Sequence, residues 1–227
     1  MHHRLLQKTR NRKSALERRA SAGALTRAEK ARYLPRVRAR FGRARTGAVT
    51  RALVESRIMN RESRIVDLGT GSGVIALSLA KKIPEAKITA ADISDDALLL
   101  GHENAVRLRI SGVQFLQSDL LENVDGKFDL IVANLPYISR HDRDQLTPEV
   151  LRDPEVALFA GEKGDEIIRR LIETAPWHLN AGGLLALEIG LGQEAVLIDL
   201  LREKNYRDIE AKNDYSGRTR FLFARYG

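Results

Sequence analysis

From Arg64 to the end of the chain, short runs rich in β-branched and aromatic residues alternate with longer amphipathic segments. This alternation restricts the fold more than any other feature of the 227 residues. Period-two or continuous apolar patterning predicts strands over Arg64–Leu68, Lys87–Ala91, Val113–Gln117, Phe128–Ala133, Leu184–Ile189, Tyr206–Ala211 and Thr219–Arg225. Helical spacing of apolar positions predicts helices over Val74–Lys82, Asp95–Leu108, Asp165–Leu179 and Gln193–Lys204. A helix between successive strands carries the chain back across the sheet, so the strands run mostly parallel, with helices on both faces and right-handed connections. The last two strands lie too close together for a helical crossover and are expected to pair antiparallel.

The part before Arg64 has a different character. Residues 1–60 hold 17 of the 38 Lys and Arg but only three of the 30 Asp and Glu, a surplus of 14 positive charges. The remainder, with 21 basic and 27 acidic residues, has a surplus of six negative charges. This asymmetry divides the chain into a basic segment, 1–60, and an α/β body, 61–227. Ser14-Ala-Leu-Glu17 and Thr26-Arg-Ala-Glu29 each place a hydroxyl and a carboxylate where they reciprocally cap a first helical turn. Pro35 breaks or kinks the second helix, and a further helix through about Val49–Ile58 leads into the body. Such a segment suits contact with RNA or the ribosome, although Tyr33 and Phe41 are too few for base stacking. It is equally readable as a solvated helical face, and its Arg-rich, acid-poor composition also resembles an organellar transit peptide.

No apolar run approaches the roughly 18 residues of a membrane-spanning helix, and the first residues lack the apolar stretch of a secretory signal. A soluble, cytoplasmic protein without membrane contact is expected. The chain has no cysteine, and His102, His141 and His178 stand apart from one another and from the terminal pair His2 and His3. Metal chemistry is not expected.

Asp67-Leu-Gly-Thr-Gly-Ser-Gly73 follows the first strand of the body and precedes its first helix, the place where open parallel sheets bind nucleotides. Gly69, Gly71 and Gly73 permit a tight turn and close approach of a ligand to the backbone. A dinucleotide loop of the G-x-G-x-x-G kind needs glycine at 74, where Val74 stands. With no pyrophosphate to bind, the loop suits S-adenosylmethionine, whose cationic sulfonium and amino acid tail favour an acid such as Asp67, with Thr70 beside it. Asp92 closes the second strand, 19 positions beyond Gly73, where a carboxylate accepts both hydroxyls of a ribose. Asp119 follows the third strand and is placed to take an adenine amino group. Ile93 and Leu120, next to these acids, complete the expected cofactor-binding set.

Asn134-Leu-Pro-Tyr137 stands at the carboxyl end of the fourth strand. An amide nitrogen is a poor nucleophile because its lone pair is delocalised into the carbonyl. If the Asn134 side-chain oxygen and the Leu135 carbonyl each accept one N–H, the nitrogen is aligned and its developing positive charge is stabilised. Pro136 fixes the turn, and Tyr137 offers an aromatic wall to a planar substrate. Asn134, Leu135, Pro136 and Tyr137 are therefore the expected catalytic residues, with Asn134 also facing the cofactor.

In these stretches the chain resembles a known family, the class I methyltransferases that modify a glutamine of peptide-chain release factors. The likeness extends to Asp153-Pro-Glu-Val-Ala-Leu158 with Gly161 and Gly164, to Gly182-Gly-Leu-Leu-Ala-Leu-Glu-Ile-Gly190 with Gln193, and to Asp214-Tyr-Ser-Gly-Arg-Thr-Arg220. The resemblance implies a Rossmann-like seven-stranded sheet with its last strand antiparallel, a protein glutamine as acceptor and a role in translation termination. Two departures stand out. Leu135 replaces the first proline of the family's Asn-Pro-Pro-Tyr, giving the form found in rRNA adenine dimethyltransferases. The family's N-terminal helical domain is not recognisable, with Arg45-Thr-Gly-Ala-Val-Thr-Arg-Ala-Leu-Val54 where its Arg-Pro-Glu-Thr-Glu stretch should be. Methylation of a release-factor glutamine is the leading reading, and methylation of an adenine amine in RNA or DNA is the alternative. A binding module that has lost catalysis is a third.

Overall fold

A computed structural model describes residues 62–147, 151 and 155–227. The basic segment, its expected helices and the boundary at residue 60 lie outside the described residues, as do Asp153 and Pro154.

The body is an open sheet whose strands are β1 (Arg64–Leu68), β2 (Lys87–Asp92), β3 (Val113–Gln117), β4 (Phe128–Ala133), β7 (Leu179–Glu188), β8 (Tyr206–Asn213) and β9 (Thr219–Tyr226). Their order is β3-β2-β1-β4-β7-β9-β8. β1 to β4 and β7 run parallel, and β9 is antiparallel to both β7 and β8, as the short link between the last two strands requires. The helices are α1 (Val74–Lys82), α2 (Asp95–Leu108), α3 (Glu166–Thr174) and α4 (Glu194–Glu203).

The central strands are apolar on both faces because both are covered. On β1, Val66 and Leu68 join the cluster built with Ile168, Leu171 and Ile172 of α3 and Leu197 and Leu201 of α4. Ile65 points to the opposite cluster, with Ile75 and Leu79 of α1 and with Phe221 and Phe223 of β9. The same alternation divides Ile131 from Leu130 and Val132 on β4.

Two expectations needed correction. The helix anticipated to Leu179 ends at Thr174, and the chain continues as a 3₁₀ turn over Ala175–His178. Pro176 has no N–H for the Ile172 carbonyl four residues back, and the buried Tyr206 hydroxyl donates to that oxygen instead, at 3.3 Å. Burial, followed by the neighbouring Tyr226, holds the Tyr206 pKa far above its ordinary value, so this donor stays protonated. β7 begins at Leu179, five residues before the expected Leu184, and its register against β4 shifts between Phe128↔Leu179 and Leu130↔Leu184. The sequence reading also did not include β5 (Ile138–Ser139) and β6 (Phe159–Gly161), which pair parallel in a small separate sheet just beyond β4.

Among the described residues, no helix is long and apolar enough to cross a membrane, and no group of three or more His, Asp and Glu is arranged to hold a metal ion.

Candidate active site

Parallel pairing brings the ends of β1 and β4 side by side, with Leu68 opposite Ala133. The segments that leave these two strands are therefore neighbours. They are the glycine loop and the Asn134–Tyr137 tetrapeptide. Gly69 sits at φ 64°, in the left-handed region. A Cβ there would lie 3.0 Å from Leu135 Cδ2 and 3.6 Å from the Asn134 carbonyl oxygen. The loop and the tetrapeptide touch at this point.

The loop is braced from below. Asp67 is 1% exposed, and its Oδ2 accepts from the Thr70 hydroxyl at 2.6 Å and from the Ala76 N–H at 3.1 Å. Thr70 also donates its N–H to the Ala91 carbonyl of β2. Asp67 and Thr70 thus shape the loop and turn their polar atoms inward, while the negative charge stays beneath the turn. Gly71 and Gly73 also have positive φ, so all three glycines adopt the backbone for which the sequence singled them out.

Asp92 orders the other side of the loop. Its Oδ2 accepts from the Gly71 N–H at 2.8 Å and its Oδ1 from the Ser94 N–H at 3.0 Å. The helix-start role is filled by Ser94, whose hydroxyl accepts from the Ala97 N–H, with Asp95 and Asp96 in the first turn. Asp92 is therefore not needed as a cap. A carboxylate has about four lone-pair positions, so after the two backbone bonds Asp92 retains acceptor capacity for a pair of hydroxyls. Ile93, beside it, is 51% exposed, while Leu120 is buried with a left-handed φ of 49°. A half-buried carboxylate, an exposed aliphatic side chain and an open glycine turn at the carboxyl ends of the adjacent strands β1 and β2 fit the ribose, base and tail of S-adenosylmethionine.

Asp119 lies at the end of β3, and its Oδ1 is 2.7 Å from Nη2 of Arg170 on α3. Any adenine contact by Asp119 thus takes place beside a guanidinium that the sequence reading did not include.

Asn134 is exposed, and among the described residues its side chain is tied to no neighbour. Leu135 has the opposite environment, with a 5% exposed side chain packed in the core. The leucine that replaces proline is thus a packing residue, its side chain seated in the core and against Gly69 of the glycine loop. The Tyr137 hydroxyl donates to Glu188 Oε1 at 3.4 Å, and the Arg220 guanidinium lies 5.4 Å from the centroid of its ring. Arg220 is itself 9% exposed, donates to the Ile189 carbonyl and leaves its Nε without a hydrogen-bond partner. Gln193 reaches the Tyr137 carbonyl from the start of α4.

With Gly164, where a Cβ would lie 2.8 Å from the Tyr137 carbonyl oxygen, the residues Glu188, Gln193 and Arg220, far apart in sequence, meet at one tetrapeptide. All four were visible only as parts of the family-like stretches, without a role. Nothing in their spacing reveals that they meet.

The sheet order with its antiparallel β9, the glycine loop after β1 and the acid closing β2 define the Rossmann-like class I methyltransferase fold. A sequence profile of the methyltransferase small domain matches residues 36–162, more than half of the chain, and the chain belongs to that family. A release factor glutamine methyltransferase from Deinococcus radiodurans is 42% identical over 164 residues, covering 71% of this chain and 58% of its own length. The ribosomal protein uL3 glutamine methyltransferase of Xanthomonas campestris pv. campestris is 40% identical over 151 residues, 66% of this chain and 49% of that protein. The crystal structure of a ribosomal protein L11 methylase from Lactobacillus delbrueckii subsp. bulgaricus aligns with TM-score 0.61 at 28% identity, covering 82% of this chain and 81% of that one. The resemblance to release-factor glutamine methyltransferases read from the motifs therefore holds, and the chain spans only about half to three fifths of the length of these two curated relatives.

Proposed function

We propose that this protein transfers a methyl group from S-adenosylmethionine to the side-chain amide nitrogen of a protein glutamine, and that the acceptor protein is a peptide-chain release factor. The observation that supports this reading is the contact of Gly69 with Leu135 and Asn134, which brings the glycine loop and the Asn134–Tyr137 tetrapeptide together at one point.

Gly69, Gly71, Gly73, Asp92 and Ile93 would hold the cofactor, with Asp67 and Thr70 supporting the turn, Leu120 packed behind and Asp119 near the base. When bound, S-adenosylmethionine supplies an electrophilic methyl group. The Asn134 side-chain oxygen and the Leu135 carbonyl each accept one N–H of the substrate amide, which fixes the nitrogen and favours the charge that develops on it. Pro136 holds the turn, and the Tyr137 ring, with its hydroxyl on Glu188 and the Arg220 guanidinium near it, forms a wall for the planar group. No side chain has to act as a strong base, because the amide nitrogen sheds its proton readily once it carries the methyl group.

Glutamine is favoured over adenine by the likeness to known proteins. The two curated relatives named above modify glutamine on two different proteins, so the amide is their shared chemistry. The Asn-Leu-Pro-Tyr form leaves the choice open, because the Leu135 side chain is buried in the core and the backbone carbonyl remains for either acceptor. The basic segment 1–60 would add affinity through contact with RNA or the ribosome, and the protein would meet such a substrate in the cytoplasm.

Replacing Asn134 with alanine tests the assignment. Cofactor affinity, read by calorimetry, should be retained, while turnover falls about a hundredfold, the effect of losing one pre-organised contact of about 3 kcal/mol. Turnover equal to the unsubstituted protein would remove Asn134 from the reaction.

A further inference from the structure

Gln193 occupies the N-cap of α4, a position where Ser, Thr, Asp or Asn normally satisfies the first free N–H groups. Its side chain makes no such bond. It turns away from the helix and contacts three separate backbone segments. Its Oε1 accepts from the Gly190 N–H at 2.8 Å, and its Nε2 donates to the Gly164 carbonyl at 2.9 Å and to the Tyr137 carbonyl at 3.1 Å. The loops after β7, after β6 and after β4 are thereby tied to one amide.

The packing around the amide leaves little room for adjustment. A Cβ on Gly164 would lie 2.7 Å from the Ser139 nitrogen and 2.8 Å from the Tyr137 carbonyl oxygen. A Cβ on Gly190 would lie 2.8 Å from the Gln193 amide carbon. Glu166 secures the far side of the same loop, accepting from the N–H groups of Lys163 and Gly164.

We propose that Gln193 is a positioning residue for methyl transfer, holding the Tyr137 carbonyl and through it the Asn134–Tyr137 turn in the geometry that accepts the substrate amide. This rests on the function proposed above. The requirement is for two N–H donors and one acceptor on a single planar group. Asparagine is one methylene too short, and glutamate has the right shape with the wrong donors. An ionised glutamate would set an oxygen against two carbonyl oxygens. A protonated one would donate to one of them and restore half of the clasp. Because the neighbouring carbonyls stabilise only the protonated form, the carboxyl should titrate above the ordinary value of about 4.3.

The test is turnover of the full-length protein across about pH 5 to 8, with cofactor dissociation constants measured in parallel for the unsubstituted protein, Gln193→Glu and Gln193→Met. Gln193→Glu should lose about tenfold or more in kcat at neutral pH with unchanged cofactor affinity. The ratio of its kcat to that of the unsubstituted protein should then rise as the pH falls. Gln193→Met, similar in length and unable to make any of the three bonds, should be slow at every pH with no such rise, and it carries the test if Gln193→Glu does not fold. A pH-independent ratio for folded Gln193→Glu, undiminished kcat in Gln193→Met, or loss of cofactor affinity matching the loss of kcat would overturn the proposal. The ratios are taken on whichever acceptor the unsubstituted protein methylates. The Asn134→Ala control and the identity of that acceptor report on the function, while the ratios report on Gln193.

Discussion

Gly69→Ala would probe the contact on which the site is built. Two separable effects follow from the structure. The residue sits at φ 64°, and a non-glycine residue held in the left-handed region costs roughly 1–2 kcal/mol. The new methyl group would also lie 3.0 Å from Leu135 Cδ2, about half an ångström or more inside the optimal carbon separation of roughly 3.5–4.0 Å. Overpacking of this kind costs about 1–3 kcal/mol. The expected loss is the sum, about 2–5 kcal/mol, or a fall in Tm of at least about 4 °C at roughly 2–4 °C per kcal/mol for a chain of this size. Leu135→Ala alone should destabilise by about 2–5 kcal/mol as a core truncation. In that background the methyl group on residue 69 has nothing to strike, so only the backbone strain remains. The double-mutant cycle should therefore give a coupling of about 1–3 kcal/mol, measured by denaturant unfolding. Coupling below the roughly 0.5 kcal/mol of independent sites would show that Gly69 and Leu135 do not meet. Undiminished stability in Gly69→Ala would show that the loop is not held left-handed.

Asp92→Asn should weaken S-adenosylmethionine binding about tenfold to a hundredfold, since hydrogen bonds to a charged group contribute about 1.5–3 kcal/mol, and calorimetry showing unchanged affinity would remove Asp92 from the cofactor site. A pH effect is expected at Glu166. Slight burial pushes its carboxyl up, but the backbone N–H groups it accepts from, those of Lys163 and Gly164 among them, outweigh this and hold its pKa below the ordinary value. A lowered carboxyl pKa stabilises the fold above the unfolded value of about 4.3, and the contribution is lost as the pH falls through the folded value. Glu166→Gln should thus melt below the unsubstituted protein at neutral pH and converge with it once the pH has fallen through the lowered folded value, and a gap independent of pH would contradict this.

The strands and helices that create the site were legible because each is a local pattern. β-Branched runs at 64–68 and 128–133 and apolar spacing at 74–82 and 95–108 are satisfied by burial on the faces the patterns prescribe. The glycine loop was legible because its turn depends on backbone that few other residues adopt. What lay hidden depends on residues distant in sequence. Arg170 reaches Asp119 from a helix 51 residues further on, and Gln193 reaches Tyr137 from 56 residues further on, through contacts that only the assembled sheet brings about. Asn180–Gly183 obscured the start of β7, because glycine disfavours a strand interior unless the strand is irregular there, as the shifted register shows. Leu135 could be read as an anomaly in the acceptor motif until its side chain was placed in the core.

The identity of the acceptor tests the central claim most directly. The full-length protein is incubated with labelled S-adenosylmethionine and, in separate reactions, with release factors, total ribosomal protein, ribosomal RNA and genomic DNA, and the site of label is located by mass spectrometry. The proposed function predicts one methyl on the amide nitrogen of a release-factor glutamine and no label in nucleic acid. Label in the exocyclic amine of adenine, with none in protein, would contradict it.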